Sequence, residues 1–114
     1  MAVVRALADM EVSPTASLFE GRKYADVELS FFVTSTPPGG GPPLHVHPYA
    51  EVFLVQEGTA TFTAGDEQLV VTEGHVVVVA AETPHRYENR GEGTLRQVSI
   101  HPSGEVQQTR LETD

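Results

Sequence analysis

The sequence predicts an all-β fold, a sandwich or small barrel of short antiparallel strands. Two observations carry this prediction. From Val27 onward, apolar and polar residues alternate with period two or form short β-branched runs. Turn-forming residues then interrupt the chain every ~8–12 residues, as in β-sandwiches and barrels. At 114 residues the chain has the size of one domain, commonly ~100–150 residues. Residues 1–114 therefore read as a single barrel domain. Its core lies over about 27–101, with an N-terminal strand or arm over 1–26 and a polar tail over 102–114.

The elements follow in order. Residues 1–25 show no clean period; Val3, Val4 and Leu7 suggest a short strand, which Ser13-Pro14 breaks. Val27, Leu29, Phe31 and Val33 alternate with Glu28, Ser30, Phe32 and Thr34, giving a strand. Residues 36–43, Thr-Pro-Pro-Gly-Gly-Gly-Pro-Pro, exclude helix and central strand, because proline lacks an N–H and glycine loses the most backbone entropy. A linker is one reading of this run, but neither flank is long enough for two domains, so it is a loop. Strands follow over 52–56, 59–63, 68–72, 76–79, 86–88 and 95–100, with a hairpin turn at Ala64-Gly65-Asp66-Glu67. The polar tail either frays or adds an edge strand.

Residues 52–55 and 76–79 are apolar on both faces, whereas an antiparallel strand with one wet face alternates. Something must cover their outer face. A partner subunit is one candidate, and residues 1–25 are the other.

Composition narrows the function. Seven Lys+Arg against 16 Asp+Glu leave a net charge of −9. That argues against nucleic acid, whose affinity rests on basic residues, and against an anionic membrane surface. Cysteine is absent, which excludes disulfides, thiolate metal sites and a Cys nucleophile. No apolar run approaches the ~20 residues of a membrane helix. The first residues lack the apolar core and cleavage site of a signal peptide, so the expected compartment is the cytoplasm.

The histidines are the chemical feature. His45 and His47 are two apart, so at the start of a strand both imidazoles point to one face. Glu51 follows four after His47, and His85 begins a later strand that pairing can bring alongside. Three imidazoles and a carboxylate with open positions suit one divalent transition metal: Fe, Mn, Ni, Zn, Co or Cu. The bland reading is a polar strand face. Two flanking glycines, Gly39 and Gly58, make a chance pattern much rarer.

Gly39-x5-His45-x-His47-x3-Glu51-x6-Gly58 resembles, position for position, the first motif of the cupin superfamily. Gly74-x5-Ala80-x-Glu82-x2-His85-x3-Asn89 is similar to its second motif at Gly, His and Asn, and departs from it where Ala80 replaces Pro and Glu82 replaces Gly. Those departures fall on the turn before His85, which Pro84 rigidifies instead. The resemblance spans about Val27 to His101. It implies a double-stranded antiparallel β-barrel, or jelly roll, and a metal bound by His45, His47, Glu51 and His85. It also implies a homodimer, in agreement with the two-sided apolar strands.

If Glu51 points inward, so do Phe53 and Val55; if His85 does, so do Tyr87 and Asn89. Phe31, Tyr49 and Phe62 are further candidates for the pocket wall. Such a pocket suits a small, partly apolar organic molecule. Glu51 and Tyr87 are the candidate catalytic groups; Tyr87 either donates a proton or only packs. His75 reads as a surface turn residue. His101 either lines the barrel mouth or caps a surface. Arg86 should point away from the pocket and Arg96 is undecided, so no residue reading a carboxylate is identified. The resemblance implies a metal-dependent enzyme of dioxygenase or isomerase type. A barrel that binds a ligand without turnover is the alternative, and a storage protein that has only inherited the fold is the third reading.

Overall fold

In the computed structural model, which describes residues 2–112, the alternating stretches become two antiparallel sheets facing one another. Strands β1 (Glu11–Ser13), β2 (Ala16–Glu20), β3 (Ser30–Thr36), β4 (His45–Val46), β5 (Glu51–Glu57) and β6 (Thr59–Ala64) are followed by β7 (Glu67–Thr72), β8 (Val76–Val79), β9 (His85–Glu88), β10 (Leu95–His101) and β11 (Thr109–Arg110). One sheet has the order β1-β2-β3-β10-β5-β8 and the other β11-β4-β9-β6-β7. This is the jelly-roll barrel that the sequence predicts. Residues 1, 113 and 114, the ends of the expected arm and tail, lie outside the described residues.

The core sits between the sheets. Phe53 and Val55 of β5, Val77 and Val79 of β8 and Leu95 of β10 meet Ala60 and Phe62 of β6. These are alternate residues of their strands, so period two turns directly into a buried face. Burying a side chain such as Phe62 stabilises the fold by roughly 1.5–3 kcal/mol. The predicted hairpin forms between β6 and β7, with Gly65 in the left-handed region at φ 58°.

The N-terminal residues differ from expectation. Val3 and Val4 are exposed and form no strand. Instead a 3-10 turn (Leu7–Met10) leads into the β1–β2 hairpin, which reverses at Pro14-Thr15. A four-residue helix, α1 (Gly21–Tyr24), then redirects the chain, so β3 begins at Ser30 rather than Val27.

The apolar face of β3 also lies on the other side from that expected of a pocket wall. Phe31 faces outward, stacked on Phe19 at 5.0 Å, while Tyr24 stacks on Phe19 at 6.0 Å. Phe32 faces the interior instead, paired across the ladder with buried Ser99. Phe31 is therefore not a pocket residue.

Strand β2 pairs beside β3 and extends the sheet. The N-terminal residues thus do not cover the outer face of β5 and β8, where Val76 and Val78 stay 59% and 65% exposed. The tail adds the short edge strand β11, which pairs with β4 through Thr109↔Val46 and Arg110↔His45.

Candidate metal centre

Three strands converge at one end of the barrel. β4 supplies His45, and His47 follows immediately; Glu51 is the first residue of β5 and His85 the first of β9. His45 and His85 are direct partners across β4 and β9. One ligand atom from each of His45, His47, Glu51 and His85 lies within 4.8 Å of all the others, and all four residues are buried. The set that the spacing and the resemblance pick out is thus brought together in space.

Backbone carbonyls orient the imidazoles. Nδ1 of His45 lies 2.8 Å from the Pro43 carbonyl, Nδ1 of His47 2.8 Å from that of Gln107, and Nδ1 of His85 2.8 Å from that of Thr83. A carbonyl only accepts, so the network assigns each Nδ1 the proton and leaves Nε2 a lone pair. Those lone pairs face the carboxylate. Nε2 of His47 and Nε2 of His85 both lie 2.9 Å from Glu51 Oε1. Nε2 of His47 is buried with no hydrogen-bond partner of suitable geometry. Acceptors crowded in this way need positive charge among them, supplied by protons or by a metal cation. The donor set, its burial and its orienting carbonyls therefore fit a first-row divalent ion.

Without a cation, protons on the imidazoles supply the balancing charge. Burial pushes the Glu51 carboxyl up, but the imidazoles of His101, His47 and His85 outweigh it and hold the carboxyl well below the ordinary range. Burial lowers His45, against the opposing pull of the Pro43 carbonyl, and so keeps it neutral and able to ligate. For His47, burial also opposes the charge, yet Glu51 and the Gln107 carbonyl together raise it.

A fourth imidazole, not assigned from the sequence, stands at the same carboxylate. His101 is buried, with Nε2 3.1 Å from Glu51 Oε2. Tyr49 orients it: the Gln107 N–H donates to the Tyr49 hydroxyl at 3.1 Å, and that hydroxyl lies 2.7 Å from His101 Nδ1. When the hydroxyl donates, His101 carries its proton on Nε2, the reverse of the other three imidazoles. It thus presents an N–H where they present lone pairs. The signal was the alternation Leu95, Gln97, Ser99, His101, which places His101 on the inner face of β10.

The centre opens into a cavity of about 510 Å³. Its walls include Phe32, Phe53, Tyr87 and Ser99, together with Thr15 and Ala16 of the N-terminal hairpin, the loop residues Pro37 and Gly40 to Pro43, and Gln108 and Arg110 of the tail. The other expected wall residues lie elsewhere. Val55 and Phe62 point inward as expected, but deeper, in the apolar core. Tyr49 stacks on His47 at 5.2 Å and acts through His101 rather than lining the cavity.

Asn89 clamps loops. Its amide N–H groups donate to the carbonyls of Thr36 at 2.9 Å and Gly93 at 2.8 Å, and its backbone pairs with Gly39 and Gly40. Gly41 completes this junction, since a Cβ there would collide with the Tyr87 carbonyl. Tyr87 lines the cavity, its ring packed on Phe53 and Phe62. His75 is exposed in its turn, with Nδ1 3.1 Å from the Thr72 carbonyl. Glu82 holds the left-handed conformation, φ 61°, at the position where the second motif carries glycine.

Residues 32–101 match the family of the cupin domain. The chain belongs to the cupin family. No curated protein matches this cupin's sequence. Among solved structures, an oxalate oxidase superposes with a TM-score of 0.75 at 18% identity, over 88% of this chain and 57% of that one. The oxalate decarboxylase of Bacillus subtilis, studied for its Mn(II) centres, superposes with a TM-score of 0.82 at 20% identity, over 92% of this chain and 31% of that one. This cupin spans less than two thirds of either neighbour's length, and at these identities the likeness establishes the fold.

Proposed function

We propose that this cupin holds one divalent first-row metal ion per chain on His45, His47, Glu51 and His85, and acts on a small oxygenated organic molecule with chemistry of the dioxygenase or isomerase type. The observation that carries the reading is the convergence of three imidazole lone pairs and a carboxylate at the floor of an open cavity. Oxidase and decarboxylase activities in neighbours of the same fold support a metal enzyme of this general kind. When bound, such an ion supplies Lewis acidity at a substrate oxygen, and a redox-active one adds electron transfer.

The residues of the chain do the rest. The carbonyls of Pro43, Gln107 and Thr83 keep the imidazoles in the ligating tautomer. His101, positioned by the Tyr49 hydroxyl, stands beside the second oxygen of Glu51, so the carboxylate keeps one orientation. Phe32 and Phe53 exclude water from one side of the substrate, and the Tyr87 hydroxyl is the candidate proton donor on the cavity wall.

We further infer that residues 1–114 work as one barrel domain and that two copies associate through the outer face of β5 and β8. The exposed Val76 and Val78 support this association. We place the protein in the cytoplasm, which suits a cysteine-free chain. Among the described residues, no helix is long and apolar enough to cross a membrane.

The test is an oxygen-uptake and product screen of metal-loaded protein across small hydroxy, keto and phenolic compounds. Oxygen consumption identifies an oxygenase, and product without oxygen consumption identifies isomerase or lyase chemistry. Saturable binding with no turnover in either assay overturns the enzyme in favour of a binding module.

A further inference from the structure

We infer that the molecule bound in this cavity is an organic carboxylate with an apolar body, and that Arg110 recognises its carboxylate at the cavity mouth. The inference rests on the metal-site reading above and adds the substrate class. It begins from the charges that face the cavity. The chain carries 16 acidic residues and only 7 Lys and Arg. Among the described residues, the cavity wall holds one acid, Glu51, and one basic side chain from the Lys and Arg set, Arg110. Glu51 is already engaged by imidazoles. The charge left to meet a ligand is therefore positive, inside a protein whose net charge is −9. A local field of that sign in a partly enclosed space favours an anion.

The backbone at Arg110 is fixed. Arg110 pairs across the ladder with His45, so its position is tied to a residue of the metal centre. On its C-terminal side, the Leu111 N–H donates to the Leu44 carbonyl at 2.8 Å, and the Leu44 N–H donates to the Glu112 carboxylate at 2.9 Å. Arg86 also reaches that carboxylate, at 3.3 Å. The nearby acid is thus engaged by a different cation. A guanidinium carried on that fixed backbone offers a planar pair of donors matched to a carboxylate.

The walls supply the rest of the substrate class. Phe32, Phe53 and Tyr87 line the cavity beside the centre, and Pro37 and Pro42 bring a rigid apolar loop against it. About 510 Å³ lies in the range of ~300–1,000 Å³ typical of sites for drug-sized ligands. A substrate that fills it has an apolar or aromatic body, oxygens at the metal end and a carboxylate at the Arg110 end.

Two matched probes test this on the full chain loaded with Co(II): 4-carboxybenzohydroxamate and 4-carbamoylbenzohydroxamate. Both carry the same metal-chelating head and differ only in the charge of the distal group. The Co(II) visible spectrum reports metal loading and coordination of the head, and calorimetry gives Kd. Wild type is expected to bind the carboxylate roughly tenfold more tightly than the amide, a preference that shrinks with added salt. Arg110→Gln is expected to erase the preference while the Co(II) spectrum stays as in wild type, and Arg110→Lys to keep part of it. Equal binding of the two probes by wild type, a preference that survives Arg110→Gln, or loaded protein that binds neither probe overturns the role of Arg110 and leaves the metal centre standing. Failure to take up Co(II) at the four ligands overturns the metal reading and this inference with it.

Discussion

The two ends of the barrel are built from the same strands but meet opposite demands. At the closed end, Val55 on β5 and Leu95 on β10 are fully buried among Ala60, Phe62 and Val77. At the open end, the same strands carry Glu51 and His101, equally buried but polar, and some of those polar atoms lack hydrogen-bond partners. Phe53 belongs to both regions, as core residue and cavity wall, and Tyr87 packs against the core from the cavity side. One alternation pattern therefore produces a packed plug and a chemical site, separated by a few residues along each strand. The plug stabilises the barrel. The site concentrates lone pairs and charge that an ordinary core would exclude, at a cost in stability that a bound cation would offset.

Substitutions that affect one end and spare the other sharpen this contrast. The largest effect is expected in the plug. Phe62→Ala should cost about 3–5 kcal/mol in urea unfolding, through lost burial and an unfilled cavity. Its surviving folded fraction should still bind metal. The site should behave in the reverse way. His47→Ala should weaken metal binding by at least ~100-fold in a competition assay with a chelator, while circular dichroism shows the metal-free protein still folded. A collapse of the fold in that variant would dissolve the distinction between the two ends.

Acid separates the ends next. The Glu51 carboxyl titrates below its unfolded value in the folded protein. The unfolded chain therefore binds the proton more readily, and stability rises with pH. The contribution of Glu51 is complete above the unfolded value of ~4.3 and is lost as pH falls below it toward the folded value. Metal-free wild type should accordingly lose more stability than Glu51→Gln over that acid range, measured as urea midpoints. The smallest expected effect lies between the ends. Gln97 is 1% exposed and neither of its amide atoms has a partner. It sits on the inner face of β10 between Thr34 and Val55. Gln97→Met should raise stability by about 1–2 kcal/mol by removing a buried unpaired amide. A loss of stability there would mean that the amide is satisfied in the working protein.

Much of this was legible in the sequence for a physical reason. Three of the candidate ligands, His45, Glu51 and His85, open their strands and His47 directly follows β4, so sequence spacing maps onto space and the motif spacing already marks all four. Parity also placed Phe53, Val55, Tyr87 and Asn89 inward. Parity does not give depth along the barrel, which is why Val55 and Phe62 belong to the plug and Asn89 to a loop junction. It failed outright at β3, because an edge hairpin and α1 supply Phe19 and Tyr24 to cover an outer apolar face. There the apolar residue of an alternating pair was the outer one. His101 was obscured because Gln97 and Ser99 make the inner face of β10 read as polar. Arg110 and the Gln107 carbonyl lie in a tail whose strand spans two residues, too short for any period to appear.

The central claim is that the open end of the barrel exists to hold a cation, and metal content tests it most directly. Elemental analysis of purified wild type and of Glu51→Gln should find about one first-row divalent ion per wild-type chain and a large loss in the variant, with both proteins folded. Folded wild type that takes up no such ion even when it is supplied, or a Glu51→Gln variant that retains its ion in full, would contradict the account.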